Sequence, residues 1–223
     1  MFGADIDQAR VDALGLTLRD CLDPAPLGVD LVIEAAGPEA LKRVAPRVLS
    51  EANLLPFSLT ASADVEFNKT ALEVARASAA IIYLPHGAIA GLDGLHDARS
   101  IITEVRVSTS KPPRSLGRDD RRRQVLFEGI TREACRRFPR NVNVHAAVAL
   151  AGLGFDRTVS VLVSDPASDV LEHIIEAKGP GVEFSFRIAS RPQAGVTGVY
   201  TPESAYQTAK RLCVRRGGGM VPV

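Results

Sequence analysis

Apolar and polar positions along this chain follow two rhythms, and the change between them falls near residue 85. Residues 5–14, DIDQARVDAL, predict a short helix with Asp5 or Asp7 as its cap. DLVIEAAG (30–37) predicts a buried strand ending in a small-residue turn, and PEALKRVAPRVLSEAN (38–53) an amphipathic helix with Pro38 in its first turn. NLLPFSLT (53–60) reads as a second buried strand weakened by Pro56. ADVEFNKTALEVARASA (63–79) reads as a helix and AIIYLP (80–85) as a third strand. Strands and helices in alternation are the signature of a parallel α/β sheet.

Beyond residue 85 the period shortens to two. SIITEVRVSTSKP (100–112), TVSVLVSDP (158–166), LEHIIEAKG (171–179) and VEFSFRIAS (182–190) alternate apolar and polar residues between turn signals, as antiparallel strands with one covered face do. Residues 142–151 form an almost uncharged helix suited to covering that face. A last helix, PESAYQTAKRLC (202–213), precedes a Gly-rich tail. The expected fold is therefore α/β, with a domain boundary between Pro85 and Leu92.

Composition narrows the class without naming a function. Hydrophobic residues make up 46% and charged residues 24% of the 223, with a formal net charge of +1. That balance supplies no field for nucleic acid or a membrane surface. No apolar run reaches the roughly 18–20 residues of a membrane span. Cys21, Cys135 and Cys213 are far apart and odd in number, as free thiols in a reducing compartment are. We expect a cytoplasmic globular protein.

Several residues carry possible chemistry. GAIAGLDGL (87–95) places three glycines after the third α/β strand, where ligands of open sheets bind, although an interdomain turn reads the same way. His86, His96, His145 and His173 share no metal-ligand spacing, so no metal site is expected. Alternation in LEHIIEA puts His173 on the covered face of its strand, where an imidazole needs a partner or a role in proton transfer. His145 lies inside the apolar helix and is more simply explained as a core residue. Asn141 and Asn143 at that helix's entrance are candidate caps, but one cap needs one asparagine. RDDRRR (118–123) reads as a solvated loop.

Taken together, the blocks PHGAIAGLDGL, TSKPPRSLG, LFEG, FPRNVNVHAAVALAGLGFD and SDP…EHIIEA resemble the L-aspartate dehydrogenase family, over residues 30–190. The resemblance implies an incomplete Rossmann-type NAD(P)-binding domain over residues 1–87. It further implies an α+β catalytic and dimerisation domain over 88–201, with a mixed, largely antiparallel sheet and a C-terminal helix (about 202–216) packing back on the first domain. The implied activity is NAD(P)-dependent oxidation of L-aspartate to iminoaspartate, which goes on to oxaloacetate and ammonia or supplies NAD biosynthesis. By position, the catalytic histidine matches His173, and Ala88 and Asn143 match the nicotinamide-side contacts, leaving Asn141 as the cap. Asp5 matches an acidic residue placed for the adenosine ribose. Lys111 is a candidate donor to a substrate carboxylate. A homodimer is implied.

Two departures accompany the resemblance. The chain carries no G-x-G-x-x-G motif, and FGADIDQAR resembles the end of the family's second strand, so about the first 30 residues of a dinucleotide fold are expected to be missing. Before the last helix, PQAGVTGVYTPESA (192–205) stands where the family often has E-N-P-K-T-S. These departures motivate two other readings: a catalytically impaired dimeric binding protein, and a related NAD(P)-dependent oxidoreductase of another amino or imino acid.

Overall fold

The computed structural model describes residues 2–3, 5, 7–18, 20, 22, 26–193 and 197–213. The N-terminal region opens with β1 (Phe2–Gly3), α1 (Gln8–Ala13) and β2 (Thr17–Leu18), the two strands pairing in parallel. Asp7 caps α1 by accepting from the Ala9 N–H. There follow β3 (Leu31–Glu34), α2 (Pro38–Leu49), β4 (Asn53–Pro56) and α3 (Val65–Ser78). β3 and β4 are parallel over four residue pairs. Pro38 opens α2, where its missing N–H costs nothing.

The third strand expected over 80–85 is reduced to one bridge, Leu54 to Ile82. Leu54 donates to the Ile81 carbonyl and accepts from the Tyr83 N–H. Pro85, which lacks an N–H, and Gly87, at φ +59°, then turn the chain away. The second strand is likewise short, stopping at Pro56, and its expected remainder becomes a 3-10 turn over Leu59–Ala63.

The second region is built on one five-stranded sheet. Its elements are α4 (Leu92–Asp97), β5 (Glu104–Lys111), β6 (Gln124–Ile130), α5 (Thr131–Arg137), α6 (Asn143–Ala151), β7 (Thr158–Ser164), β8 (Leu171–Gly179) and β9 (Val182–Ser190). The strands lie in the order β6-β7-β5-β8-β9, with β5 and β7 parallel and every other pair antiparallel. The sheet is mixed, as expected. A short hairpin, β10 (Pro192–Gln193) with β11 (Thr197–Gly198), leads into α7 (Tyr200–Cys213). Residues 214–216 of the expected last helix lie outside the described residues.

Alternation does what the period of two predicts. Val105, Val107, Ile175 and Ala177 face inward and pack on Leu95, Ala146, Ala147 and Val148 of α4 and α6. α6 is apolar all round because sheet, turn and helices surround it. Gly179 ends β8 where a Cβ would run into the Ile101 carbonyl, so no other residue fits there. A separate cluster of Leu41, Ala45, Val48, Leu49 and Leu54 fills the N-terminal region. β6, α5 and α4 had no counterpart among the expected elements. β6 escapes a periodic reading because Val125 is exposed and a bulge between Val125 and Phe127 breaks its alternation.

Candidate active site

Two neighbouring strands bring polar side chains to the covered face of the sheet. In β5 the inward positions run Val105, Val107, Thr109, Lys111, and in β8 they run Leu171, His173, Ile175, Ala177. The antiparallel register sets Thr109 directly opposite His173. The Thr109 hydroxyl lies 2.8 Å from His173 Nδ1 and 2.7 Å from His145 Nε2, joining both rings through one oxygen. Thr109 and His145 are fully buried, and His173 is 5% exposed.

Lys111, two residues along, is 4% exposed. Its ammonium donates to the Asn141 carbonyl at 3.2 Å and to Asn141 Oδ1 at 3.5 Å, with no carboxylate partner among the described residues. Burial pulls its pKa down to about 8. Burial, and secondarily the Lys111 charge, push His173 down to about 3, so its ring is neutral at physiological pH. Burial first, then the charges of His173 and Lys111, hold His145 well below its ordinary value.

The two asparagines divide differently from expectation. The N-cap position of α6 is Val142, and no side chain caps it. Asn141 is therefore not a cap: its two oxygens are taken by Lys111. Asn143 accepts from the Thr60 N–H at 3.2 Å, and the Thr60 hydroxyl donates to the Pro139 carbonyl at 2.8 Å. That pair fastens the 59–63 turn to α6 and leaves the Asn143 NH2 without a partner among the described residues.

A cavity of about 210 Å³ opens over these groups. His173, Lys111, Asn143 and Ala88 all line it, and so do Thr197, Gly198 and Thr201 from the divergent 192–205 segment. Asp5 is elsewhere: it is exposed, accepts from the Asp7 N–H and does not line this cavity. A larger cavity of about 610 Å³ separates α2 and α3 from α4 and α6, but its walls are mostly apolar; His96 lines it, His86 lines both cavities, and the larger one has no counterpart of the Thr109–Lys111 array.

Two polar features lay outside the expected set, one in the site and one apart from it. Thr109 was readable in principle, because alternation in VRVSTSK puts a hydroxyl and an ammonium on the face that Val105 and Val107 bury. Glu34 had no such signal. Its buried carboxylate accepts from the N–H groups of Ala36, Gly37 and Ser58 and from the Ser58 hydroxyl, tying together the carboxyl ends of β3 and β4. Among the described residues no three His, Cys, Asp or Glu side chains gather to hold a metal, and no helix is long and apolar enough to cross a membrane.

Known proteins match this architecture. Residues 93–212 match the family model described as aspartate dehydrogenase, C-terminal. The L-aspartate dehydrogenase of Thermotoga maritima is 35% identical over 190 residues, covering 84% of this chain and 78% of that protein. The enzyme of that name from Methanothermobacter thermautotrophicus is 37% identical over 210 residues, covering 90% and 80%. The crystal structure of the Thermotoga maritima aspartate dehydrogenase superposes with a TM-score of 0.81 at 32% identity, covering 98% of this chain and 89% of that one. With a model spanning more than half its length and relatives above 30% identity over most of it, the chain belongs to the L-aspartate dehydrogenase family.

Proposed function

We propose that this protein oxidises L-aspartate to iminoaspartate with NAD or NADP, in the cytoplasm, and that the product supplies NAD biosynthesis or hydrolyses to oxaloacetate and ammonia. The observation that carries this reading is the single cavity into which His173, Lys111, Asn143 and Ala88 all open. Residues 1–87 are then the cofactor half and 88–201 the catalytic half.

The residues present suit a nicotinamide. Asn143 spends its carboxamide oxygen on Thr60 and keeps two N–H donors for a carboxamide oxygen. Gly87 and Ala88 bring a turn of backbone to the lining of the same cavity. When bound, the nicotinamide supplies the acceptor for the hydride of the aspartate α-carbon.

The chain's own groups account for the remainder. Lys111 is a buried cation held by two neutral oxygens, and a substrate carboxylate is the partner it lacks. His173 is neutral, borders the cavity, and is oriented from behind by Thr109. Such a ring is placed to hydrogen-bond the substrate or to position the water that attacks the imine. Leu171 and Ala147 add apolar surface to the same lining. A homodimer would join through the outer face of the sheet, where Val161 and Ile174 stand opposite to the cavity.

The test is NAD(P)H formation from L-aspartate. His173→Ala is expected to lower kcat/KM by about 100-fold or more while leaving the cofactor Kd nearly unchanged. Loss of cofactor binding in that variant would instead make His173 structural.

One observation favours a second reading, a related oxidoreductase of another amino or imino acid. Thr197, Gly198 and Thr201 line the cavity from a segment that departs from the family's usual sequence. Initial rates with L-aspartate against L-glutamate and L-alanine separate the two, and a faster reaction with either competitor favours the second.

A further inference from the structure

The Thr109 hydroxyl has one proton and stands between two ring nitrogens, His145 Nε2 at 2.7 Å and His173 Nδ1 at 2.8 Å. Burial keeps both rings neutral, so each carries a single N–H. Two arrangements satisfy the hydroxyl. In one it donates to His145, which must then carry its proton on Nδ1, while His173 donates from Nδ1 and offers a bare Nε2 to the cavity. In the other His145 donates from Nε2 to the hydroxyl, the hydroxyl donates to His173 Nδ1, and His173 carries its proton on Nε2.

His145 decides between them. Its Nδ1 is fully buried and has no hydrogen-bond partner among the described residues. The first arrangement strands a buried N–H there, whereas the second strands only a lone pair. A buried donor without an acceptor is the costlier and rarer orphan. The hydroxyl proton is therefore directed away from His145 and toward His173.

We propose that Thr109 is the positioning residue of His173, that His145 behind it sets the direction of the hydroxyl proton, and that His173 meets L-aspartate as an Nε2–H donor to a substrate carboxylate. This rests on the reading of His173 as the substrate-contacting histidine. The second substrate carboxylate, or the second oxygen of the same one, is left to Lys111 on the neighbouring strand, so the two strands present one neutral donor and one cation to a doubly acidic substrate.

The decisive measurement is a long-range 1H–15N correlation spectrum of the imidazoles in the full chain at neutral pH, assigned by His173→Ala and His145→Gln. Both rings are expected to show a protonated Nε2 and an unprotonated Nδ1. A proton on Nδ1 of His173, or a signal averaged between the nitrogens, overturns the proposal. Thr109→Val, equal in size, is expected to raise the KM for L-aspartate about tenfold, to leave the cofactor Kd unchanged and to shift the His173 ring signals, with Thr109→Ser restoring all three. If His173→Ala is inactive while Thr109→Val keeps the parental KM and ring signals, the positioning role falls and the assignment of His173 survives. If His173→Ala retains activity, that underlying assignment falls first.

Discussion

The five-stranded sheet and the N-terminal region hold their shape by different means. β8 is paired along all nine residues with β9 and along seven with β5, while β3 and β4 share four pairs and the next strand touches β4 at one bridge. The inward side chains of β5, β7 and β8 are buried, whereas Ile33 in β3 and Ile81 beside the single bridge are 48% and 50% exposed. The polar groups proposed to carry chemistry sit on the more extensively paired side. Thr109, Lys111 and His173 all belong to β5 or β8, whose register a one-residue slip would turn inside out. The N-terminal region contributes loops around residues 57–60 and 85–88 that close over them. On the proposed assignment, the groups that would handle protons sit on long paired strands, and the half that would take the cofactor is held by shorter pairings.

The largest expected effect sets the two regions directly against each other. Ile175 is 1% exposed between His173 and Ala177 on β8, so Ile175→Ala leaves a cavity in the main core and is expected to cost about 2–5 kcal/mol. Ile33→Ala in β3 removes a half-exposed side chain and is expected to cost less than about 1 kcal/mol. Denaturant melts of both variants check the contrast. Equal losses would show that the N-terminal strands bear as much of the stability as the sheet.

Lys111 sharpens the comparison, because here the rigid sheet holds something unfavourable. Its folded pKa of about 8 lies below the ordinary 10.5, so between those values the unfolded chain binds more protons. Stability therefore rises as pH climbs through that window, and the cost is fully present below about pH 8. At one pKa unit per 1.36 kcal/mol the cost is about 3 kcal/mol at neutral pH. Lys111→Met is expected to recover up to that much stability while lowering kcat/KM for L-aspartate by roughly 10–100-fold, the worth of a charged hydrogen bond. The gain in Tm should shrink as the pH is raised from 8 toward 10.5. A variant both destabilised and fully active would mean that the ammonium serves the fold rather than the substrate.

Much of this division was legible in the chain. Alternation located β5, β7, β8 and β9, and it placed His173 on the covered face because LEHIIEA can bury Leu171, His173, Ile175 and Ala177 only together. What alternation does not carry is the partner across a register. Thr109 and His173 are 64 residues apart, and His145 reaches the same hydroxyl from a helix. The asparagines show the same gap. Asn141 has the spacing of a cap, yet a buried ammonium competes for its oxygens and wins, since a lone cation without acceptors would cost far more than an uncapped N–H. β6 was lost to its bulge, and the third parallel strand shrank because Pro56 and Pro85 bound the pairing on either side.

The smallest effect concerns how the N-terminal region is fastened. Asp64 is the N-cap of α3, accepting from the Phe67 N–H at 3.2 Å, and it also accepts from Lys42 Nζ at 3.0 Å on α2. The Phe67 amide, followed by the Lys42 ammonium, holds its carboxyl below the usual carboxylate range, so the contribution is present at neutral pH and is lost as pH falls through that lowered pKa. Because the side chain is 43% exposed, the ion pair is screened and the cap should dominate. Asp64→Ala is expected to cost about 1 kcal/mol. Asp64→Asn, which keeps an oxygen for the Phe67 N–H and discards the charge, should lose much less, and Lys42→Met should behave like Asp64→Asn. If Lys42→Met instead matched Asp64→Ala, the bridge between α2 and α3 would outweigh the cap, and this region would be fastened by a contact between helices rather than by a local turn.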